Sequence, residues 1–221
     1  MKAIVFKHFN DDHRREDNIK EFIDQIPAGS TFYDLGACLG WFSIYAASLG
    51  LNTYSFEVDE FNFIGLEQNL AMNPSVHGNI KTFNRGIADR RRTIKLNAGN
   101  QMIGGHHKTL DLENYAGQEN IVRKDFVYDV EVIGLDEFIT ELGLPFPEYM
   151  KIDIDGSEHA FLQGAQKSLD HAKGIVIELE ESNKYFQECY ETILSYGFKV
   201  KEKFAIPQET CVNFWFEKTY S

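Results

Sequence analysis

Strand-like and helix-like segments alternate along the sequence from about residue 31 to residue 200, and this alternation restricts the fold more than any other feature. Segments such as TFYDLG (31–36) and GIVIELE (174–180) are each followed by a stretch with apolar side chains at helical spacing. Such alternation predicts an α/β protein with a doubly wound, mostly parallel, Rossmann-like sheet. The last two predicted strands, FKVKEKF (198–204) and CVNFWFEK (211–218), are joined by about six residues, too few for a parallel crossover. We therefore expect a seven-stranded sheet that ends in a C-terminal antiparallel hairpin.

Length and composition are those of a single domain. We predict that residues 1–221 form one domain, with a helical lead-in over 1–29, a core over 30–221 and a polar loop at about 97–120. The net charge of −12 argues against a protein that binds the phosphate backbone of nucleic acids. No apolar run is as long as a membrane span, and the three cysteines do not form a disulfide pattern. These features predict a cytoplasmic protein without a membrane partner.

A glycine-containing turn follows the first predicted strand. Asp34, Gly36 and Gly40 lie at the carboxyl end of that strand, which is where open parallel sheets bind their ligands. A dinucleotide-binding loop needs glycine at two positions that here hold Cys38 and Trp41, so an NAD-type cofactor is disfavoured. The spacing G-x-x-x-G instead suits S-adenosylmethionine, which brings no phosphate to the loop.

The next two predicted strands end in residues that fit a nucleoside. Glu57 lies one strand–helix–strand unit after Gly36, and an acid at that position accepts the hydroxyl groups of a ribose. In the segment GIAD, Ile87 and Ala88 are expected to pack near the adenine ring, while Asp89 accepts a hydrogen bond from its amino group. These residues support a nucleoside cofactor without selecting one.

The segment KIDIDGSEHAF (151–161) brings three acids to the end of a buried strand. Alternation along the strand predicts that Asp153 and Asp155 share one side of it, and Glu158 falls in the first turn of the following helix. Carboxylates crowded beside a predicted cofactor often have a chemical task. We predict that Asp153 or Asp155 is a general base and that the other binds the substrate. A divalent metal held by the three acids is the alternative use of the same oxygens, although no metal site is assigned.

Three histidines are additional candidates for contacts with the substrate. His106 and His107 lie in the long polar segment, and His159 follows Glu158 at the predicted start of a helix. An imidazole supplies a base or a hydrogen bond near neutral pH. We therefore predict that His106, His107, Glu158 and His159 contact the substrate.

Five motifs, in the same order, resemble those of the FkbM-type methyltransferases, a branch of the class I S-adenosylmethionine-dependent enzymes. FYDLGACLGWFSIYAA is similar to their D-x-G-A-N-x-G, FEVD to F-E-P, NRGIAD to N-x-A-[LI]-[AS]-D, GLDEF to T-L-D, and KIDIDGSEHAFLQGA to K-[IV]-D-x-E-G-x-E-x-x-x-L-x-G-A. The resemblance extends from about residue 30 to the end, and it implies that Ala37, Cys38 and Val58 also contact the cofactor. The chain departs from the family where Cys38 replaces Asn, Val58 replaces Pro and Asp155 replaces Glu. A shorter acid at position 155 alters the catalytic geometry that the resemblance implies.

The resemblance implies methyl transfer, commonly to oxygen, with small metabolites, sugars or glycans as acceptors. We therefore expect an S-adenosylmethionine-dependent methyltransferase that acts on a hydroxyl of a small molecule or glycan and binds neither nucleic acid nor membrane. Two other functions fit the same residues less well: a non-catalytic nucleoside-binding or scaffold domain, and an NAD-type oxidoreductase. The acceptor, the oligomeric state and a metal requirement are left open by the sequence.

Overall fold

The computed structural model describes residues 4–8, 17–98, 103–105, 109–110, 126–205 and 211–219. The strands are β1 (Thr31–Leu35), β2 (Asn52–Glu57), β3 (Ile80–Asn84), β4 (Gly86–Ala88), β5 (Arg92–Asn97), β6 (Thr109–Leu110), β7 (Val127–Gly134), β8 (Tyr149–Ile152), β9 (Gly174–Glu180), β10 (Phe198–Ala205) and β11 (Cys211–Lys218). The helices are α1 (Asp17–Asp24), α2 (Trp41–Ser48), α3 (Glu60–Ala71), α4 (Leu135–Leu142), α5 (Glu158–Gly164), α6 (Gln166–His171) and α7 (Phe186–Ser195), with a 3-10 helix at His77–Asn79. None of these helices is long and apolar enough to cross a membrane.

Seven strands form the main sheet, in the order β10-β11-β9-β8-β1-β2-β3. The inner strands pair in parallel, whereas β11 pairs antiparallel with both β9 and β10. The predicted fold class, strand number and C-terminal hairpin are thus confirmed. Because the chain proceeds from β1 to β2 and β3 on one side and returns to β8 on the other, a crevice opens at the carboxyl ends of β1 and β8.

A second sheet, which we did not predict, has the order β4-β7-β5-β6. Its strands β5 and β7 coincide with segments that have a strand-like pattern in the sequence. Its outer strands β4 and β6 contain three and two residues, which is too short for any periodic pattern to show. Most of the predicted polar loop at 97–120 lies outside the described residues, but Thr109–Leu110 forms the strand β6 that closes this sheet.

Apolar side chains cover both faces of the main sheet. One face packs against α4, α5, α6 and α7, and the other packs against α1 and α2. On the second face Phe22 of α1 meets Trp215 of β11 edge to face, with ring centroids 5.4 Å apart. Burial on both sides explains why the central strands are continuous apolar runs in the sequence.

The segment after β8 differs from the prediction of an extended strand through residue 155. The strand ends at Ile152, and Asp155 and Gly156 both adopt left-handed conformations, with φ of 46° and 89°. The prediction that strand alternation places Asp153 and Asp155 on one side is therefore wrong, although both remain at the same sheet edge. The single helix predicted after them is also interrupted: it is divided into α5 and α6 at Ala165, whose φ is −128°. The preceding Gly164 passes so close to the Ala88 carbonyl that a Cβ atom would lie 2.2 Å from that oxygen.

Candidate active site

The loop between β1 and α2 is held against the end of β2. Gly36, Cys38 and Gly40 all have positive φ, at 80°, 49° and 78°. The N–H groups of Gly36 and Ala37 both donate to the Phe56 carbonyl, at 3.0 and 2.9 Å. Two left-handed glycines and these shared hydrogen bonds define a tight loop, which we call the cofactor loop (residues 36–40).

Glu57 is anchored by backbone groups on both sides. The Cys38 N–H donates to its Oε2 atom and the Asp59 N–H donates to its Oε1 atom, each at 2.8 Å. The residue is only 6% exposed. Two charge-assisted bonds fix the carboxylate before any ligand arrives, which is the preorganisation that a ribose-binding acid needs.

Lys151 connects two predicted acids, and sequence reasoning did not single it out. Its Nζ atom lies 3.4 Å from Asp34 Oδ1 and 3.2 Å from Asp153 Oδ2, and it donates to the Gly36 carbonyl at 3.0 Å. The contact with Asp34 is an ion pair without hydrogen-bond geometry, and the Ser43 hydroxyl donates to the other Asp34 oxygen at 2.6 Å. Lys151 is 3% exposed. The signal was present in the sequence: one lysine interrupts the apolar strand YMKI.

A cleft at this edge of the sheet is lined by seven of the sixteen predicted site residues. Including its open mouth, the cleft encloses about 680 Å³. Seven predicted residues line it: Gly36, Cys38, Glu57, Val58, Ile87, Asp153 and Asp155. Seven others complete the lining: Phe56, Asn62, Arg85, Gly86, Gly105, Leu110 and Ile154.

Five predicted cofactor residues support the cleft without lining it. Asp34 lies beneath the cofactor loop, Ala37 is buried in that loop, and Gly40 precedes α2. Ala88 is fully buried in β4. The carboxylate of Asp89 forms ion pairs with the first and third of the three arginines that follow it along the chain, at 3.2 and 2.7 Å, and the structure does not bring it into the cleft.

Of the predicted substrate residues, the structure describes Glu158 and His159, and neither lines the cleft. Glu158 accepts a hydrogen bond from the Gly156 N–H at 3.2 Å, and burial, with smaller effects of Asp155 and Asp153, raises its pKa to about 7. His159 lies against α7 instead of in the cleft: its Nε2 atom is 3.0 Å from Glu188, and its ring stacks on Tyr185 at 4.1 Å. His106 and His107 lie outside the described residues.

Glu178 is a further acid at this edge that sequence reasoning missed. Lys151 and Val176 are partners in the β8–β9 ladder, so Glu178, two residues along β9, shares the face of Lys151. Burial raises the pKa of Glu178 to about 9, and the charges of Asp153 and Asp155 add to the shift. The carboxyl therefore holds its proton at neutral pH. We call Asp153, Asp155 and Glu178 the acidic edge.

Within the part of the chain that the structure describes, no group of three or more His, Cys, Asp or Glu side chains is arranged to hold a metal ion. The alternative in which Asp153, Asp155 and Glu158 share a divalent metal therefore receives no support from these residues.

A parallel sheet in this strand order, with an acid-anchored glycine loop beside β1, defines the fold of the class I S-adenosylmethionine-dependent methyltransferases. Residues 34–200 match the family described as the Methyltransferase FkbM domain, and the chain belongs to that family. No curated protein sequence matches the chain significantly.

Solved structures with similar folds include proteins that are described as methyltransferases. Methyltransferase FkbM from Methylobacillus flagellatus KT has a TM-score of 0.59 at 17% identity; the match covers 86% of this chain and 45% of that one, so this chain spans less than half of that protein. M. capricolum TrmK in complex with S-adenosyl-homocysteine has a TM-score of 0.54 at 11% identity, with coverage of 91% and 68%. Precorrin-6y C5,15-methyltransferase from Geobacter metallireducens GS-15 also has a TM-score of 0.54, at 12% identity, with coverage of 98% and 94%. At these identities the likeness concerns the fold.

Proposed function

We propose that the chain transfers the methyl group of S-adenosylmethionine to a hydroxyl oxygen of a small metabolite or glycan. One observation carries this proposal: the anchored Glu57 carboxylate, the cofactor loop and Asp153 line the same cleft. Cofactor-binding and candidate proton-accepting groups thus lie close enough to serve one reaction centre.

The cleft offers separate groups to the parts of the cofactor. Glu57 accepts hydrogen bonds from the ribose hydroxyls, and Gly36 and Cys38 contact the remainder of the cofactor along the loop. Val58, Ile87 and Leu110 supply the apolar walls that an adenine ring needs. In this assignment Asp34, Ala37, Gly40, Ala88 and Asp89 act by supporting the residues in contact with the cofactor.

Methyl transfer from a sulfonium is an in-line displacement. The acceptor oxygen attacks the methyl carbon, the carbon–sulfur bond breaks with its electrons going to sulfur, and S-adenosylhomocysteine leaves. The acceptor proton passes to Asp153 or Asp155. Because the cofactor is already activated, alignment of the three reacting atoms is the main contribution of the protein.

The acidic edge favours an acceptor without negative charge. Asp153 and Asp155 line the cleft, and Glu178 is near enough for their charges to raise its pKa. A phosphate or carboxylate on the acceptor would be repelled here, whereas neutral hydroxyl groups form hydrogen bonds with carboxylates. We therefore propose that nucleic acid is not the acceptor, even though one protein of similar fold is described as a putative RNA methyltransferase from Pyrococcus horikoshii.

Calorimetric titration tests the cofactor, with S-adenosylmethionine, S-adenosylhomocysteine and NAD in separate experiments. We expect micromolar binding of the first two and no heat from NAD. NAD binding would refute the assignment of the cofactor loop. If none of the three compounds gave a binding signal with folded protein that is free of co-purified ligand, the result would favour the alternative of a non-catalytic scaffold domain.

The proposed base is tested by Asp153→Asn and Asp155→Asn. Both variants should bind S-adenosylhomocysteine within about threefold of the unsubstituted protein, because neither carboxylate is assigned to the cofactor. Removal of the base should lower turnover by about 10²- to 10⁴-fold. Turnover is measured as S-adenosylhomocysteine release with a panel of neutral sugars and hydroxylated metabolites. Full activity of both variants with a working acceptor would exclude both residues as the base.

A further inference from the structure

Helix α3 carries Asn62 and Asn69 on one face, and Asn73 follows just after the end of the helix. All three are buried, and Asn69 is fully so. A buried amide is costly unless its donors and acceptor are satisfied, so the partners of these side chains indicate what they do.

The Asn69 side chain uses its full hydrogen-bonding capacity. Its Oδ1 atom accepts from the N–H groups of Lys7 and His8, at 2.9 and 3.0 Å. Its Nδ2 atom donates to the carbonyls of His8 and Leu39, both at 2.9 Å. Asn69 thereby connects two segments: residues 4–8, which we call the strap, and the cofactor loop, which contains Leu39.

The strap also packs beside the loop. The Phe6 ring lies 4.6 Å from that of Trp41, the first residue of α2 after the cofactor loop. Ile4 and Phe6 pack on an apolar cluster that includes Ile44 of α2 and Leu70 of α3. The strap is therefore docked on the two helices that flank the cofactor loop.

Asn73, just beyond the C-terminal end of α3, provides a natural comparison. It accepts from the Val5 N–H at 3.0 Å and donates to the Val5 carbonyl at 2.7 Å. Its other Nδ2 bond, at 2.8 Å, goes to the carbonyl of Asn69 within α3. Asn73 thus holds the strap by contacts like those of Asn69, and its hydrogen bonds do not include the loop.

We propose that Asn69 is a positioning residue that couples docking of the strap to cofactor binding, by holding the strap and the Leu39 carbonyl with one amide group. The inference rests on the proposed function of the cofactor loop. Coupling of this kind is reciprocal: if the docked strap increases cofactor affinity by some factor, bound cofactor lowers the equilibrium constant for opening of the strap by the same factor. We expect a factor of about ten, within the usual range for coupled sites.

The test combines calorimetry with hydrogen exchange of the Lys7 and His8 amides in the full chain, under conditions where exchange reports the opening equilibrium. In the unsubstituted protein, saturating S-adenosylhomocysteine should slow this exchange about tenfold. Asn69→Ala should abolish that slowing and weaken S-adenosylhomocysteine binding by about the same factor. Asn73→Ala should accelerate exchange with and without ligand, yet keep the slowing by ligand and change affinity less than about twofold.

A second pair of variants leaves α3 untouched, in case Asn69→Ala does not fold. Lys7→Pro removes an N–H group that donates a hydrogen bond to Asn69 Oδ1, and Val5→Pro removes the N–H group that donates to Asn73 Oδ1. Only Lys7→Pro should weaken the binding of S-adenosylhomocysteine. If the two variants of either pair lost equal affinity for S-adenosylhomocysteine, the proposal would be overturned. It would also be overturned if saturating S-adenosylhomocysteine left the exchange of the Lys7 and His8 amides unchanged in the unsubstituted protein. If that protein does not bind S-adenosylhomocysteine at all, the proposed function fails instead.

Discussion

The crossing of the cofactor loop over the end of β8 can be tested by adding one methyl group. At Gly36 a Cβ atom would lie 1.7 Å from the Asp153 carbonyl oxygen, and φ is 80°. Gly29 is a matched control, because its φ is 85° and nothing lies within 4 Å of the corresponding Cβ position. Comparison of Gly36→Ala with Gly29→Ala therefore separates the steric effect from the cost of a left-handed backbone.

The expected magnitudes differ clearly. Gly29→Ala should lower the free energy of unfolding by about 1 kcal/mol, since the left-handed conformation costs about 1–2 kcal/mol and the loss of chain entropy on folding becomes smaller. Gly36→Ala has the same conformational cost and in addition forces the backbone at residue 36 away from the backbone at Asp153. We therefore expect the free energy of unfolding to fall by about 3 kcal/mol or more. The displaced atoms belong to Asp153, and a shift of about 1 Å at a reacting group can lower turnover about 100-fold.

Urea unfolding of both variants measures the stability difference, and calorimetry with S-adenosylhomocysteine measures the effect on the loop. Gly36→Ala should lose affinity, whereas Gly29→Ala should retain it. If the two variants were equally stable and bound the ligand equally well, the close crossing of the loop and β8 would be wrong, and the proposed proximity of cofactor and Asp153 would lose its basis.

Three further predictions concern buried ionisable side chains. Glu57→Ala should weaken S-adenosylhomocysteine binding by about 10- to 150-fold in calorimetry, whereas the exposed neighbour Glu60→Ala should not, and unchanged affinity would remove the ribose assignment. Lys151→Met should cost about 3–5 kcal/mol in urea unfolding because Asp34 keeps a buried, unpaired charge, and Asp34→Asn in the same background should restore part of that loss. The raised pKa of Glu178 means that the folded protein binds more protons than the unfolded chain between pH 4.5 and about 9, so this residue's contribution to stability falls as pH rises through that window. Glu178→Gln should flatten this decline, and an identical pH profile of unfolding free energy would contradict the shifted pKa.

The strands of the main sheet could be predicted from the sequence because the pattern of apolar and turn residues that marks a strand is local. The strands β9 and β11 were predicted at their observed bounds, since their apolar runs are bounded by turn residues. The end of β8 was not predictable in this way. It depends on the contact of Asp153 with Gly36, which is distant in sequence, and on a left-handed backbone at a non-glycine residue, Asp155.

The residues of the candidate site likewise fall into those that the sequence pattern indicated and those that it did not. Glu57 and Asp153 were found because acids at strand ends stand out against apolar neighbours. Glu178 and Asn69 were missed because each lies within a regular strand or helix and not at its end, where the predicted site residues were sought. Their significance comes from partners that only the fold brings near: the acidic edge for Glu178, and the strap with Leu39 for Asn69.

Lys151 explains why the cofactor loop and the proposed base must move together. One buried ammonium contacts the Gly36 carbonyl, the acid beneath the loop and Asp153 in the cleft. Any displacement of that ammonium therefore changes the positions of the loop and of Asp153 together. The two hydrogen bonds that anchor Glu57 come instead from the backbone N–H groups of Cys38 and Asp59. It follows that substitution of Lys151 should alter cofactor affinity and turnover together, while substitution of Glu57 should act mainly on affinity.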